Sequence, residues 1–186
     1  MIDYEAIISK YCAGNPELQQ ILLAHSRQVA DRALVILRLH PEWVEQGLVD
    51  PVFVEEAAML HDIGVVLCDA PKIHCVGTHA YIEHGYLGAE ILRKEGLPKH
   101  ADVAERHTGT GITMEQIMRE QLPIPLQDYT PRTLEERLIC YADKFYSKTR
   151  LGEDKPMAKI RQHLWKYGSD TVFRFDEMQQ FFEPTV

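Results

Sequence analysis

Residues 57–64 read AAMLHDIG. An apolar run closes on an adjacent histidine and aspartate, His61 and Asp62, followed by Ile63 and Gly64. Asp50-Pro51 opens this stretch with a polar cap and a proline in the first turn, which predicts a helix. Val54, Ala57, Ala58 and His61 fall on one side of it. Gly64 is expected to stop it as a C-terminal glycine. A histidine and a carboxylate in such apolar surroundings are costly unless paired or coordinated. Neighbours on a helix point about 100 degrees apart. Both can still meet one ion placed near the helix end. Imidazole with carboxylate suits Fe, Mn, Zn or similar cations. Taken alone, the pair also fits a plain helix end with a capping carboxylate.

Upstream, Asn15-Pro16-Glu17 starts a helix running towards His40. Leu18, Ile21, Leu22, Val29 and Ile36 form its apolar face at spacings of three, four and seven, and His25 lies on that face. A shorter helix over about 3–12 precedes it. Downstream, residues 65–77 read as loop, with a short strand left open. Thr78 to Glu95 is expected to be helical and to end at Gly96, with His84, Leu87, Gly88 and Ile91 on one side. Pro98 opens a helix ending at His107, before the turn Thr108-Gly109-Thr110-Gly111. Thr113 to Gln116 and Thr133 to Glu136 match capping boxes. The second box starts a helix with Leu134, Leu138, Tyr141, Ala142 and Phe145 inside and Asp143 within it. Helices around 156–166 and 170–182 complete the chain. The fold class is all-α, as one domain over 1–186 with a core over about 18–150 and a helical extension over 151–186.

The 186 residues are 45% apolar and 26% charged, ordinary values for a globular protein. No apolar run approaches the roughly 20 residues that cross a bilayer. MIDYEAIISKYC lacks a basic-then-apolar leader pattern, so a cytoplasmic protein without membrane contact is expected. A formal net charge of −8 argues against strong nucleic-acid binding. It leaves room for a small phosphorylated substrate, since a bound cation reverses the local sign. The four cysteines, Cys12, Cys68, Cys75 and Cys140, contain no C-x-x-C pair. A zinc site from Cys68, His74 and Cys75 fits no standard spacing, and reduced, partly buried thiols are the preferred reading.

The order His25, His61-Asp62, His84, His107, Asp143 resembles the HD-domain superfamily of metal-dependent phosphohydrolases, over roughly residues 20–150. HDIG at 61–64 is that superfamily's named motif. HGYLGAEILRKEGL (84–97), ERHTGTGIT (105–113) and DYTPRTLEERLICYADKF (128–145) are more specific. They resemble a small HDIG subfamily of bacteria and archaea, whose members stand alone or are attached to a transfer-RNA ribose methylase. The arrangement is also similar to the bacterial HD-domain diadenosine tetraphosphatases. The resemblance implies that His25, His61, Asp62 and Asp143 bind one metal. It implies that His84 and His107 add a second, with Asp62 bridging, often with iron in such relatives. Manganese, cobalt and zinc suit the same donors.

The implied function is hydrolysis of a phosphoester or phosphoanhydride, with a nucleotide as the expected substrate. A bound cation lowers the pKa of water from about 15.7 towards 7. Lys144 and Arg27 are candidates to neutralise phosphate charge. No protein nucleophile with a convincing partner is visible. The same ligands would serve a di-iron oxygenase, and a metal-stabilised sensor or interaction module is a further alternative. An RNA-linked role is suggested only by the methylase association. His79 is expected to cap its helix rather than join the site. FRFDEMQQFF (173–182) reads either as core or as a homodimer surface.

Overall fold

The computed structural model describes residues 2–184. The cap signals become helix starts. Asp3 accepts from Ala6 N and opens α1 (Tyr4–Tyr11). Asn15 accepts from Leu18 N at 3.1 Å and, with Pro16, opens α2 (Pro16–Leu39). A short α3 (Pro41–Glu45) follows, unexpected from the sequence, where Pro41 sets the first turn after His40. Asp50 accepts from Val52 N at 2.9 Å and opens α4 (Pro51–Leu60).

The centre of the bundle is the packing of α2 on α4. Ala30 and Ala33 on α2 and Ala57 and Ala58 on α4 are fully buried, alongside Val29, Val54 and Leu60. Small residues on both sides let the two helices lie close. Next come α5 (His84–Lys94) and α6 (Pro98–Arg106), a helical hairpin. Gly96, at φ +76°, turns the chain between them, and Leu97 N returns to Leu92 O at 2.9 Å. α7 (Met114–Glu120) is capped by Thr113, and α8 (Leu134–Asp143) by Thr133. In neither box does the second half close as expected. Glu136 bonds Arg132 N and Arg106 instead, and Gln116 Oε1 is buried without a partner.

Two expectations need correction. The loop expected over 65–77 contains the short strand left open, and the helix expected from Thr78 starts later. A 3-10 turn (Ile63–Leu67) leads into a two-stranded antiparallel pair, β1 (Asp69–Ala70) with β2 (Cys75–Val76). A second 3-10 turn (Tyr81–Glu83) then precedes α5, which begins at His84 rather than Thr78. The Glu83 carboxylate accepts from Ala80 N at 2.7 Å and so organises that start. Gly64 is not a left-handed helix cap. Its helix ends at Leu60, and a Cβ on Gly64 would stand 2.0 Å from His84 O and 2.4 Å from Gly88 N. The glycine is there because α5 passes directly over it.

The C-terminal α9 (Met157–Leu164) and α10 (Ser169–Phe182) pack together, and α10 packs on α8. Phe175 and Phe182 stack against Tyr141, each with its ring centroid 5.5 Å away. Arg174 donates to Thr110 O and Gly111 O, tying α10 to the 108–111 turn. Within FRFDEMQQFF, Phe175, Met178 and Phe182 are core, whereas Phe173 and Phe181 are exposed. No described helix is long and apolar enough to cross a membrane.

Candidate metal centre

Helix ends deliver most of the site. His61 follows the last residue of α4, His84 is the first of α5, His107 follows α6, and Asp143 is the last of α8. His25 projects from the middle of α2. The four histidines and Asp62 are buried, and Asp143 is 13% exposed.

The donors fall into two groups that share Asp62. On one side, Asp62 Oδ2 lies 3.1 Å from His25 Nε2 and 3.0 Å from His61 Nε2. Asp143 Oδ1 lies 3.0 Å from His25 Nε2 and 3.5 Å from His61 Nε2. On the other, Asp62 Oδ1 lies 3.3 Å from His107 Nε2 and 3.5 Å from His84 Nε2. His25 Nε2 and Asp143 Oδ1 are hydrogen-bonded, whereas His61 Nε2 and Asp62 Oδ1 are buried with no hydrogen bond, and Asp62 Oδ2 has the Lys148 ammonium as its further partner.

The tautomers explain why. Nδ1 of His61, His84 and His107 lies 2.6, 2.6 and 2.8 Å from the carbonyl three residues earlier, on Ala58, Tyr81 and Ala104. A carbonyl only accepts, so each Nδ1 carries a proton, and Nε2 of the His84 and His107 rings presents a lone pair. His84 Nε2 and His107 Nε2 then face each other at 3.1 Å. Burial and the neighbouring His107 push His84 down to about 3, and burial also lowers His107, so neither ring keeps a second proton near neutral pH. Two facing lone pairs and a carboxylate oxygen fit a shared cation. Burial opposes the charge on Asp62 and Asp143. Even so, His61 and Lys148 hold Asp62, and Lys144 holds Asp143, well below the usual carboxylate range. Burial also opposes a charge on His61, but Asp62 and Asp143 outweigh it and push the ring up to about 9 without a cation. A cation entering this side therefore displaces a proton.

The centre opens into a cleft of about 650 Å³. Lys144 lines it, with Nζ 2.6 Å from Asp143 Oδ2 and donating to His107 O at 3.2 Å. Lys148 also lines it, 2.5 Å from Asp62 Oδ2. Sequence reasoning passed over Lys148. It lies past the end of α8, where a lysine reads as a solvated charge, and its only signal is its spacing of five from Asp143. Arg27 is elsewhere. Two positions from His25, it points round the far side of α2. There it pairs with Glu55 at 2.9 Å and donates to Tyr4 at 2.8 Å. His79 pairs with Glu83 at 3.1 Å. The cysteines are free and buried, and among the described residues none joins a donor group.

A helical bundle whose helix ends gather histidines and aspartates below an open, lysine-lined cleft defines the architecture of a candidate metal centre. The chain belongs to the HD domain family, whose model matches residues 22–147. An uncharacterised protein of Methanocaldococcus jannaschii is 36% identical over 163 residues, 87% of this chain and 84% of that one. Two tRNA (cytidine(56)-2'-O)-methyltransferases also match. The one from Picrophilus torridus is 36% identical over 55% of this chain and 26% of its own length. The one from Thermoplasma volcanium is 30% identical over 68% and 32%. The chain thus spans about a third or less of these methyltransferases. The fold is similar to the HD domain of the Listeria monocytogenes phosphodiesterase PgpH. The TM-score is 0.54 at 18% identity, covering 92% of this chain and 94% of that one.

Proposed function

We propose that this chain hydrolyses a phosphoester or phosphoanhydride of a nucleotide, using two divalent transition-metal ions. His25, His61, Asp62 and Asp143 hold one, and Asp62, His84 and His107 hold the other. The carrying observation is the division of Asp62, whose Oδ2 faces His25 and His61, with Lys148 beside it, while Oδ1 faces His84 and His107. Bound cations would supply acidified water and neutralise phosphoryl charge. Iron is the expected metal, and manganese, cobalt or zinc would suit the same donors.

The chain's own residues bind and orient. Lys144 and Lys148 place two ammonium groups at the cleft wall beside the carboxylates, suited to phosphoryl oxygens. Ile82, Ile112, Leu122 and Tyr167 line other parts of the cleft and offer apolar surface for a base. Arg27, engaged by Glu55, has no part in this reading. The site of action is the cytoplasm. The acidic balance, −8 overall, gives no support to strong RNA binding.

The test is to purify the chain without chelator and measure metals per chain by plasma mass spectrometry. The same sample is assayed on nucleotides and dinucleoside polyphosphates. About two metals with phosphate or nucleotide release is the expected result. Two irons with oxygen consumption and no hydrolysis would replace this reading with oxygenase chemistry. No metal after anaerobic reconstitution with iron and manganese would remove both.

A further inference from the structure

The chain carries a net charge of −8, yet its cleft is lined by Lys72, Lys144, Lys148 and Lys155, with His163 beside them. Glu120 and Asp143 are the acids that line it. The lysines differ in how they are compensated. Lys144 has Asp143 at 2.6 Å, and Lys148 has Asp62 at 2.5 Å. Among the described residues Lys155 makes no ion pair. Its position is nevertheless fixed, because its backbone N–H donates to Phe145 O at 2.7 Å.

Burial, together with Lys144 and Lys148, makes the Lys155 ammonium harder to hold, although Asp143 counteracts this. His163 stands exposed on α9, and partial burial, then Lys155, Lys166 and Lys144, lowers it. Three cleft lysines thus share the carboxylates of Asp143 and Asp62, each of which already has its own lysine, and an anion bound beside Lys155 relieves the repulsion. Both residues lie beyond the span 22–147 matched by the family model, Lys155 just before α9 and His163 within it. They are therefore an addition to the donor bundle and not part of it.

We propose that Lys155 and His163 form an outer anion subsite for the second phosphate of a phosphate chain, so that this chain prefers phosphoanhydrides to monoesters. The inference rests on the reading that a reacting phosphoryl group sits at the donor cage. A monoester would leave Lys155 uncompensated. A di- or triphosphate reaches past Lys144 and Lys148 and supplies the missing charge. The C-terminal segment then sets substrate choice, while the helix ends of the bundle set the chemistry.

The experiment is calorimetric titration of the full chain, as purified with its metals, with inorganic tripolyphosphate and with orthophosphate. Metal content is measured before and after. Wild type, Lys155→Met, Lys155→Arg and His163→Asn are compared. The expected result is a tripolyphosphate preference that falls about tenfold in Lys155→Met, falls less in His163→Asn, and is largely kept in Lys155→Arg. Far-ultraviolet circular dichroism confirms that each variant is folded. The Lys155 side chain makes no hydrogen bond that methionine would remove. An unchanged preference in folded Lys155→Met overturns the subsite, and so does an equal loss for both anions. Hydrolysis and binding separate the two readings. Tripolyphosphate binding that depends on Lys155, in a chain that hydrolyses no phosphate ester or anhydride, defeats the proposed activity and leaves the subsite. A hydrolase whose preference ignores Lys155 does the reverse.

Discussion

The two donor groups share one carboxylate and differ in almost everything else. The group of His25, His61, Asp62 and Asp143 is rich in charge. It holds both carboxylates, two ammonium groups press against it, and its His61 is held up to about 9. The group of Asp62, His84 and His107 has two neutral rings and one oxygen of a carboxylate already engaged on its other side. The centre is therefore unequal. The first group competes with protons and lysines but offers more donors. The second has fewer donors and nothing to displace.

The largest expected effect comes from the shared residue. Asp62→Ala should take bound metal from about two ions to none and abolish turnover, and His61→Ala should do the same, with helical circular dichroism largely intact. His107→Ala should instead leave one ion. If His107→Ala also empties the site, the two groups bind as one unit. Next in size is Gly64→Ala. A Cβ 2.0 Å from His84 O must push α5 away from the turn that carries Asp62. Overpacking of this kind costs about 1–3 kcal/mol, a fall in Tm of roughly 2–12 °C for a chain of this size. The second ion should be lost before the first, and metal counts on the folded variant check that order.

Acidity sharpens the contrast further. Below about 9 the His61 ring carries a proton that a cation must displace. Raising the pH removes it, so affinity for the first ion should rise about tenfold per pH unit from 7 to 8 and level off above about 9. The second ion, bound by rings already neutral, should change little over the same range. Titrations in buffers of different ionisation enthalpy would show one proton released for the first ion only. Equal proton release at both would contradict the assignment. The smallest effect is a control. Burial pushes Cys12, Cys75 and Cys140 up to about 11 and Cys68 up to about 12. Iodoacetamide at pH 8 should therefore leave the mass of the folded protein unchanged, with or without metal.

Much of this centre was legible because helix boundaries are written locally. Asn15-Pro16, Asp50-Pro51 and Thr133 mark starts through side chains that bond backbone within three residues. A histidine or aspartate at a marked end, or on an apolar face like His25, stands out. Whatever depended on distant packing was hidden. Gly64 read as a cap because its real neighbours, His84 and Gly88, are twenty or more residues away. The late start of α5 depends on the tie between Glu83 and Ala80, which a helical pattern does not reveal. Arg27 looked available only because Glu55 lies on another helix. Lys148, Lys155 and His163 reach the cleft through irregular chain and a helix added after the bundle, and no local pattern announces that.

Three of the histidines owe their orientation to main-chain carbonyls, those of Ala58, Tyr81 and Ala104. Since those acceptors belong to the backbone, changing the side chains at 58, 81 and 104 does not delete them. The aim of the ligands is thus insulated from sequence drift. The bundle can exchange its surrounding residues over evolutionary time, and its cleft can be refitted to new molecules, without each change having to restore the geometry of the donors.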